Sequence, residues 1–121
     1  MSAEYARTRF QFGRAIGTFQ AIKHKCADML ARVELAEAAA REAARLADEA
    51  ADEVPLAAAT AHICSSRAYM FAAAENIQVH GGIGFTWEHP AHLYFKRAKS
   101  SELFLGTPGY HRELICQALG V

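Results

Sequence analysis

The sequence predicts an all-α protein, an up-down helical bundle that forms a single domain over residues 1–121. Two observations predict this fold. Apolar residues recur at alternating three- and four-residue steps through most of the chain, which is the spacing of a helix face, and no segment has the pattern of a strand. Hydrophobic residues make up 52% of the chain, as in an ordinary globular domain. We therefore expect two long and two short helices packed along one another.

Charge and cysteine content narrow the class of protein. Thirteen basic and thirteen acidic residues cancel, so we expect neither nucleic acid nor a membrane as a partner. Cys26, Cys64 and Cys116 are odd in number and form no C-x-x-C motif, which indicates reduced thiols. No run approaches the ~20 apolar residues of a membrane span, and the first residues do not form a signal peptide. We expect a cytoplasmic protein.

The first elements follow from periodicity and capping. Met1–Arg7 has no capping residue before a new periodic run, so we expect the end of a helix there. A long helix is predicted from Thr18 to Ala51, about 50 Å in length. Its apolar seam comprises Ile22, Cys26, Met29, Val33, Ala36, Ala40, Ala43, Ala47 and Ala50. Alanines fill the second half of this seam, so a neighbouring helix should approach more closely toward Ala50.

The later elements are separated by breaking residues. Asp52–Pro55 ends the long helix, and a second seam runs from Leu56 to Ile77, where a glycine-rich segment begins. Pro90 favours the start of a third helix, in which it would lie near the first position. This helix is predicted to continue through Leu103. Gly106–Gly109 interrupts the chain before a short last helix. The order of these elements is that of an antiparallel bundle with short connections.

The glycine-rich segment Gln78–Phe85 is the most informative motif of the chain. Glycine permits positive φ and close approach of another group to the backbone, and successive exposed amides can bind an anion. The spacing Gly-Gly-x-Gly matches neither the P-loop nor the dinucleotide fingerprint. A plain turn between helices therefore stays open beside a binding loop.

Five motifs in order resemble the C-terminal helical domain of the acyl-CoA dehydrogenase family. They are Arg9-Phe10-Gln11-Phe12-Gly13, Phe19-Gln20, Gln78-Val79-His80-Gly81-Gly82-Ile83-Gly84-Phe85, Arg97-Ala98-Lys99 and Gly106-Thr107. The resemblance covers most of the chain. It implies the fold of that C-terminal domain, lacking most of its first helix, and a part in the α,β-oxidation of acyl-CoA thioesters with FAD as cofactor.

The resemblance implies a binding role for each motif, because family members hold FAD across a subunit interface. Arg9 matches the arginine that meets the FAD pyrophosphate, a task suited to a planar guanidinium. The turn Gly106–Thr107 matches one that meets the flavin. The remaining implied contacts are Gln11 and Phe12 beside the arginine, Phe19 and Gln20 on the long helix, and Gln78, Val79, His80, Gly81 and Gly82 on the adenosine side.

Structural alternatives remain for these residues. Arg9 alternatively pairs with Glu4 or another nearby carboxylate on the surface, and Phe12 and Phe19 are alternatively core residues. Gln78 alternatively caps a helix end, and Thr107 alternatively starts the last helix. The nearby histidines at positions 80, 89 and 92 lack a Glu-x-x-His partner motif or a cysteine, so we expect no metal site.

The family's catalytic base is absent at its usual position. Many members carry a glutamate before Gly-Thr, because removal of the α-proton needs a positioned carboxylate, and here that residue is Leu105. We expect no catalytic residue in this chain and no activity from the chain alone. Two hypotheses follow: a cofactor-contacting part of an acyl-CoA dehydrogenase, or a non-catalytic helical module or subunit of a mixed oligomer. In both cases an uncovered face of the bundle predicts a homo-oligomer, or a hetero-oligomer with an acyl-CoA dehydrogenase subunit. We expect the chain to encounter acyl-CoA only as part of the complete enzyme.

Overall fold

The computed structural model describes residues 1–121 and is almost entirely helical. Five helices follow one another, with a two-stranded hairpin after the first. The elements are α1 (Ser2–Thr8), β1 (Phe10–Gln11), β2 (Arg14–Ala15), α2 (Gln20–Glu49), α3 (Val54–His80), α4 (Ala91–Leu103) and α5 (Pro108–Leu119). Three short 3₁₀ helices, at Ile16–Thr18, Ala51–Glu53 and Gly81–Phe85, join neighbouring elements. The predicted all-α fold is confirmed.

Helix α3 is the centre of the bundle, and α1, α2, α4 and α5 all pack against it. Alanines make this possible because they let helix backbones approach closely. Ala59 and Ala73 of α3 are buried, and Ala91 and Ala98 of α4 are fully enclosed. The second predicted seam is therefore the main packing face of the molecule.

Helices α2 and α3 are antiparallel and are joined by polar contacts as well as apolar ones. Lys25 of α2 forms an ion pair with Glu75 of α3. One turn earlier in α3, the Phe71 ring has the Arg32 guanidinium of α2 4.1 Å from its centre, within the range of a cation–π interaction. The two contacts fix the register of the long helices near the end at which the site lies.

The predicted seam of α2 is only partly right. Val33, Ala40 and Ala47 are exposed, whereas Leu46, which lies outside the seam, is buried. Leucine has a larger apolar side chain than alanine, so its burial removes more apolar surface from water. The helix therefore turns Leu46 rather than Ala47 toward the bundle.

A small β-hairpin, which the sequence did not predict, precedes α2. Phe10 pairs with Ala15 and Gln11 with Arg14. The two residues between the strands, Phe12 and Gly13, have φ of 53° and 77°, and two-residue hairpin turns favour such positive values. Strands of two residues are too short to show an alternating pattern, so sequence periodicity could not reveal them.

Only part of the glycine-rich segment Gln78–Phe85 lies outside α3. Gln78, Val79 and His80 belong to the last turn of α3 and not to a loop, since the helix ends only at Gly81, with φ of 63°. The 3₁₀ turn after it folds back on the helix at Gly84, where an added Cβ atom would lie 2.9 Å from the Ile77 carbonyl oxygen. The segment is thus a helix end closed by a tight turn.

Much of the apolar surface of the bundle is uncovered. Only 15 of 121 residues are buried, while large side chains such as Phe85, Trp87 and Phe104 are mostly exposed. All three cysteines are free thiols. None of the helices combines the length and the apolar composition that a crossing of the membrane requires.

Candidate functional site

A cleft of about 400 Å³ opens where the hairpin, the start of α2 and the end of α3 meet. The predicted site residues at its wall are Arg9, Gln11, Phe12, Phe19, Val79, His80, Gly81 and Gly82. Tyr5, Ile16 and Ile22 complete the lining. Eight of the twelve candidate residues, distant in sequence, therefore share one concave surface.

Arg9 supplies the only cationic side chain of the cleft, and the cleft wall contains no carboxylate. The residue connects α1 to the hairpin through its backbone: its N–H donates to Tyr5, and its carbonyl accepts from Ile16. Its guanidinium forms no ion pair. Glu4 binds Arg7 instead, at 2.5 Å, so the alternative pairing of Glu4 with Arg9 is wrong. The cleft thus has an uncompensated positive charge.

Aromatic rings form one side of the cleft. Phe19 stands edge-on to Phe12, with ring centres 6.2 Å apart, and the Arg14 guanidinium covers it at 4.1 Å. Phe12 is 89% exposed, so its interpretation as a core residue is wrong. An exposed ring beside a cation is suited to the flat, anionic groups of a nucleotide.

The other side is formed by the end of α3, where His80 is buried. Its Nδ1 lies 2.7 Å from the Asn76 carbonyl oxygen, which only accepts, so Nδ1 carries the hydrogen and donates it. The ring packs against Tyr5 at 4.3 Å and against His89 at 4.2 Å. In the neutral ring this arrangement leaves Nε2 as an acceptor.

His89 supports the same region from outside the cleft. Its Nδ1 accepts a hydrogen bond from the Ala91 N–H at 3.2 Å, at the start of α4. Desolvation lowers the pKa of His89, and the nearby His80 and His92 rings lower it further. The histidine is therefore held in its neutral form. No group of three or more His, Cys, Asp or Glu side chains is arranged to hold a metal ion.

Gly81 and Gly82 leave the floor of the cleft open. A Cβ atom added at either position would have no neighbour within 4 Å, so there is free space at both, but the φ of 63° at Gly81 disfavours a side chain there. The exposed backbone is a surface against which a flat ligand can lie. One unpaired cation, the exposed ring of Phe12 and the open backbone at Gly82 together fit a dinucleotide such as FAD.

Four predicted site residues lie outside this cleft. The side chains of Gln20 and Gln78 are exposed elsewhere on α2 and α3, and Gly106 and Thr107 precede α5. Thr107 caps that helix, since its Oγ1 accepts from the Tyr110 N–H at 3.2 Å, as the structural alternative predicted. A contact of these four residues with FAD stays a prediction.

Tyr5, Ile16 and Ile22 line the cleft but were not among the predicted site residues. Ile22 is the first residue of the apolar seam predicted for α2, so the sequence analysis placed it in the core. Ile16 is buried in a cluster with Ala6 and Val79. The contribution of Tyr5 follows from its ring contact with His80, which no sequence pattern indicates.

The C-terminal domain of acyl-CoA dehydrogenases, as a family model, matches residues 1–120. This chain belongs to the acyl-CoA dehydrogenase family. It is 51% identical over 108 residues to the acyl-CoA dehydrogenase IpdE2 of Mycobacterium tuberculosis, a match that covers 89% of the chain and 32% of the relative. It is also 51% identical over 106 residues to the acyl-CoA dehydrogenase FadE34 of that organism, covering 87% and 15%. The chain spans about a third or less of these curated relatives.

Solved structures agree with this assignment. An FAD-dependent dehydrogenase superimposes with a TM-score of 0.95 at 37% identity, over 99% of this chain and 32% of that one. Butyryl-CoA dehydrogenase from Megasphaera elsdenii gives 0.93 at 29%, over 99% and 31%. The ChsE4–ChsE5 complex from Mycobacterium tuberculosis gives 0.91 at 38%, over 99% and 32%. The resemblance inferred from the five motifs is confirmed, and FAD is the cofactor of this family.

Proposed function

We propose that this chain is an FAD-contacting domain of an acyl-CoA dehydrogenase-like protein that oxidises the α,β-bond of acyl-CoA thioesters. The domain provides one wall of the cofactor site and part of the oligomer surface, while another part of the assembly holds the flavin ring. When bound, FAD supplies the redox chemistry, and the protein supplies position and electrostatics. Each step below concerns what the residues of this chain contribute.

The uncompensated charge of Arg9 is the observation that carries the proposal. A guanidinium without an ion pair, beside a cleft without carboxylates, attracts an anion and can donate two parallel hydrogen bonds to phosphate oxygens. Gln11 lines the same wall and offers an amide next to it. These side chains bind and orient the pyrophosphate.

The rest of the cleft fits the less polar parts of the cofactor. The exposed ring of Phe12 offers a stacking surface, and the backbone at Gly81 and Gly82 allows close approach from the α3 side. His80 uses Nδ1 to bond the Asn76 carbonyl, which leaves Nε2 as the second polar atom of that ring. A ligand with one anionic centre between two flat groups matches this distribution.

Flavin content of the purified protein tests the proposal. We expect flavin absorbance in the wild-type chain, co-expressed with a complete acyl-CoA dehydrogenase subunit that supplies the opposite wall. Arg9→Gln should lose most of it, because a hydrogen bond to a charged group contributes about 1.5–3 kcal/mol. Arg7→Gln is the matched control, since Arg7 is exposed and paired with Glu4 outside the cleft. Equal flavin content in all three proteins would contradict the proposal.

Leu105 favours a second candidate, a non-catalytic subunit of a mixed oligomer. The residue occupies the position of the family's glutamate base and is 75% exposed, and a leucine cannot remove a proton. This function predicts a complex in which flavin associated with this chain is not bleached by acyl-CoA. Leu105→Glu should then introduce bleaching, whereas bleaching already present in the wild-type protein would exclude the non-catalytic role.

A further inference from the structure

The turn between α4 and α5, residues 104–107, has an unusual backbone. Leu105 has φ of 65°, in the left-handed region that residues with side chains rarely adopt, and Gly106 follows at 116°. The Leu105 side chain is 75% exposed, so packing of that side chain does little to hold the conformation. A strained backbone persists only where its surroundings over-determine it. Within the turn the Gly106 N–H donates to the Leu103 carbonyl at a long 3.4 Å, so a further contact is needed to hold it.

His111 of α5 supplies that contact. Its Nε2 lies 3.1 Å from the Leu105 carbonyl oxygen, and because a carbonyl only accepts, Nε2 carries the hydrogen and donates it. The same ring closes on the next residue. A Cβ atom at Gly106 would come 3.1 Å from that Nε2 and 2.6 Å from Cδ1 of Tyr110. The turn is thus bonded at Leu105 and enclosed at Gly106.

The His111 ring is oriented by the central helix of the bundle. His62 of α3 stacks on it, with ring centres 3.9 Å apart and an angle of 27° between the planes. The buried Nδ1 of His111 and Nε2 of His62 have no hydrogen-bond partner, so no competing bond turns either ring away. Stacking on α3 therefore keeps Nε2 of His111 directed at the Leu105 carbonyl.

We propose that His111, stacked on His62, is a positioning residue that sets the backbone of the turn 104–107. Through that turn it sets the place of Thr107, whose hydroxyl caps α5. The inference rests on the proposed function and on the predicted contact of Gly106 and Thr107 with FAD, and it deepens them by naming the residue that holds this turn. His111 does not itself touch the cofactor. It connects the central helix to a cofactor-facing turn.

Two variants of the full chain separate the hydrogen bond from the stacking. His111→Phe keeps a flat ring against His62 but has no donor, while His111→Gln loses the ring and keeps an N–H at a similar distance. Amide hydrogen exchange by NMR reports the turn at Gly106 and Tyr110, whose N–H groups are bonded within it. We expect exchange to be about tenfold faster in His111→Phe, the size of one lost hydrogen bond, and near wild type in His111→Gln.

Amides of α2 and α3 in the same spectra are the control for loss of the whole fold. The Leu105 carbonyl ¹³C resonance gives a second readout, because it changes when its hydrogen bond is lost. Unchanged exchange and an unchanged carbonyl resonance in His111→Phe would overturn the proposal, as would equally fast exchange in both variants.

Flavin uptake in the co-expressed complex separates this proposal from the function on which it rests. Where the wild type binds FAD, His111→Phe should bind it more weakly and His111→Gln should restore binding. Equal FAD affinity in the wild type and His111→Phe would overturn the cofactor-positioning role. If even the wild type takes up no FAD, the proposed function fails, while the exchange data still decide whether His111 holds the turn.

Discussion

Gly84→Ala is the substitution that should most clearly damage the fold beside the site. The added Cβ atom would lie 2.9 Å from the carbonyl oxygen and 3.2 Å from the Cα of Ile77, and 3.3 Å from the Cβ of His80. The first two atoms are backbone of the central helix and cannot move aside cheaply. Overpacking of this kind lowers the free energy of unfolding by about 1–3 kcal/mol. Alanine also reduces the entropy of the unfolded chain, which raises the free energy of unfolding by about 0.4–1 kcal/mol.

The net loss is therefore about 1–2 kcal/mol, which for a chain of this size lowers the melting temperature by roughly 4–10 °C. Thermal and urea unfolding followed by circular dichroism measure it. Gly82→Ala is the matched control two residues away, because its added Cβ meets nothing within 4 Å and should leave stability unchanged or slightly raised. Equal stability of Gly84→Ala and the wild type would refute the packing of the 3₁₀ turn on α3, as would equal damage by both substitutions.

Three further predictions concern stability and assembly. The free energy of unfolding should fall as the pH drops below about 6.5. The pKa of His89 is lowered in the folded protein, so the unfolded chain binds a proton there more readily than the folded one. Unfolding measured across the acid range should show a weaker fall in His89→Asn. Ala98→Leu should destabilise the bundle by about 1–3 kcal/mol in urea, because Ala98 is fully enclosed, whereas exposed Lys99→Leu should not. Light scattering should give at least twice the chain mass, and a monodisperse monomer would contradict the predicted oligomer.

The sequence predicted the helices well because their signals are local. The long helix was placed at Thr18–Ala51 and is observed at Gln20–Glu49, and Pro55 and Pro108 lie in the first turns of their helices. The predicted seam of the long helix failed at Val33, Ala40 and Ala47, which are exposed, because the larger Leu46 is buried in place of its alanine neighbour. The hairpin was not predicted because it depends on the positive φ values of Phe12 and Gly13, which no residue pattern indicates.

The candidate site was predictable only through the order of its motifs. Nothing in the composition brings Arg9 near Gly82, and their proximity arises because α1 and the hairpin pack against the end of α3. Contacts between particular side chains could not be predicted from the sequence. The stacking of His62 on His111 joins residues almost fifty positions apart, and neither belongs to a motif.

An NMR titration of the full chain with FAD tests the central claim most directly, because it detects the weak binding expected of half a site. The account predicts that FAD shifts the amide resonances of residues around the cleft, among them Arg9, Phe12 and Gly82, and that Arg9→Gln abolishes these shifts while Arg7→Gln retains them. Absence of any shift at millimolar FAD, or shifts equally strong in Arg9→Gln, would contradict it.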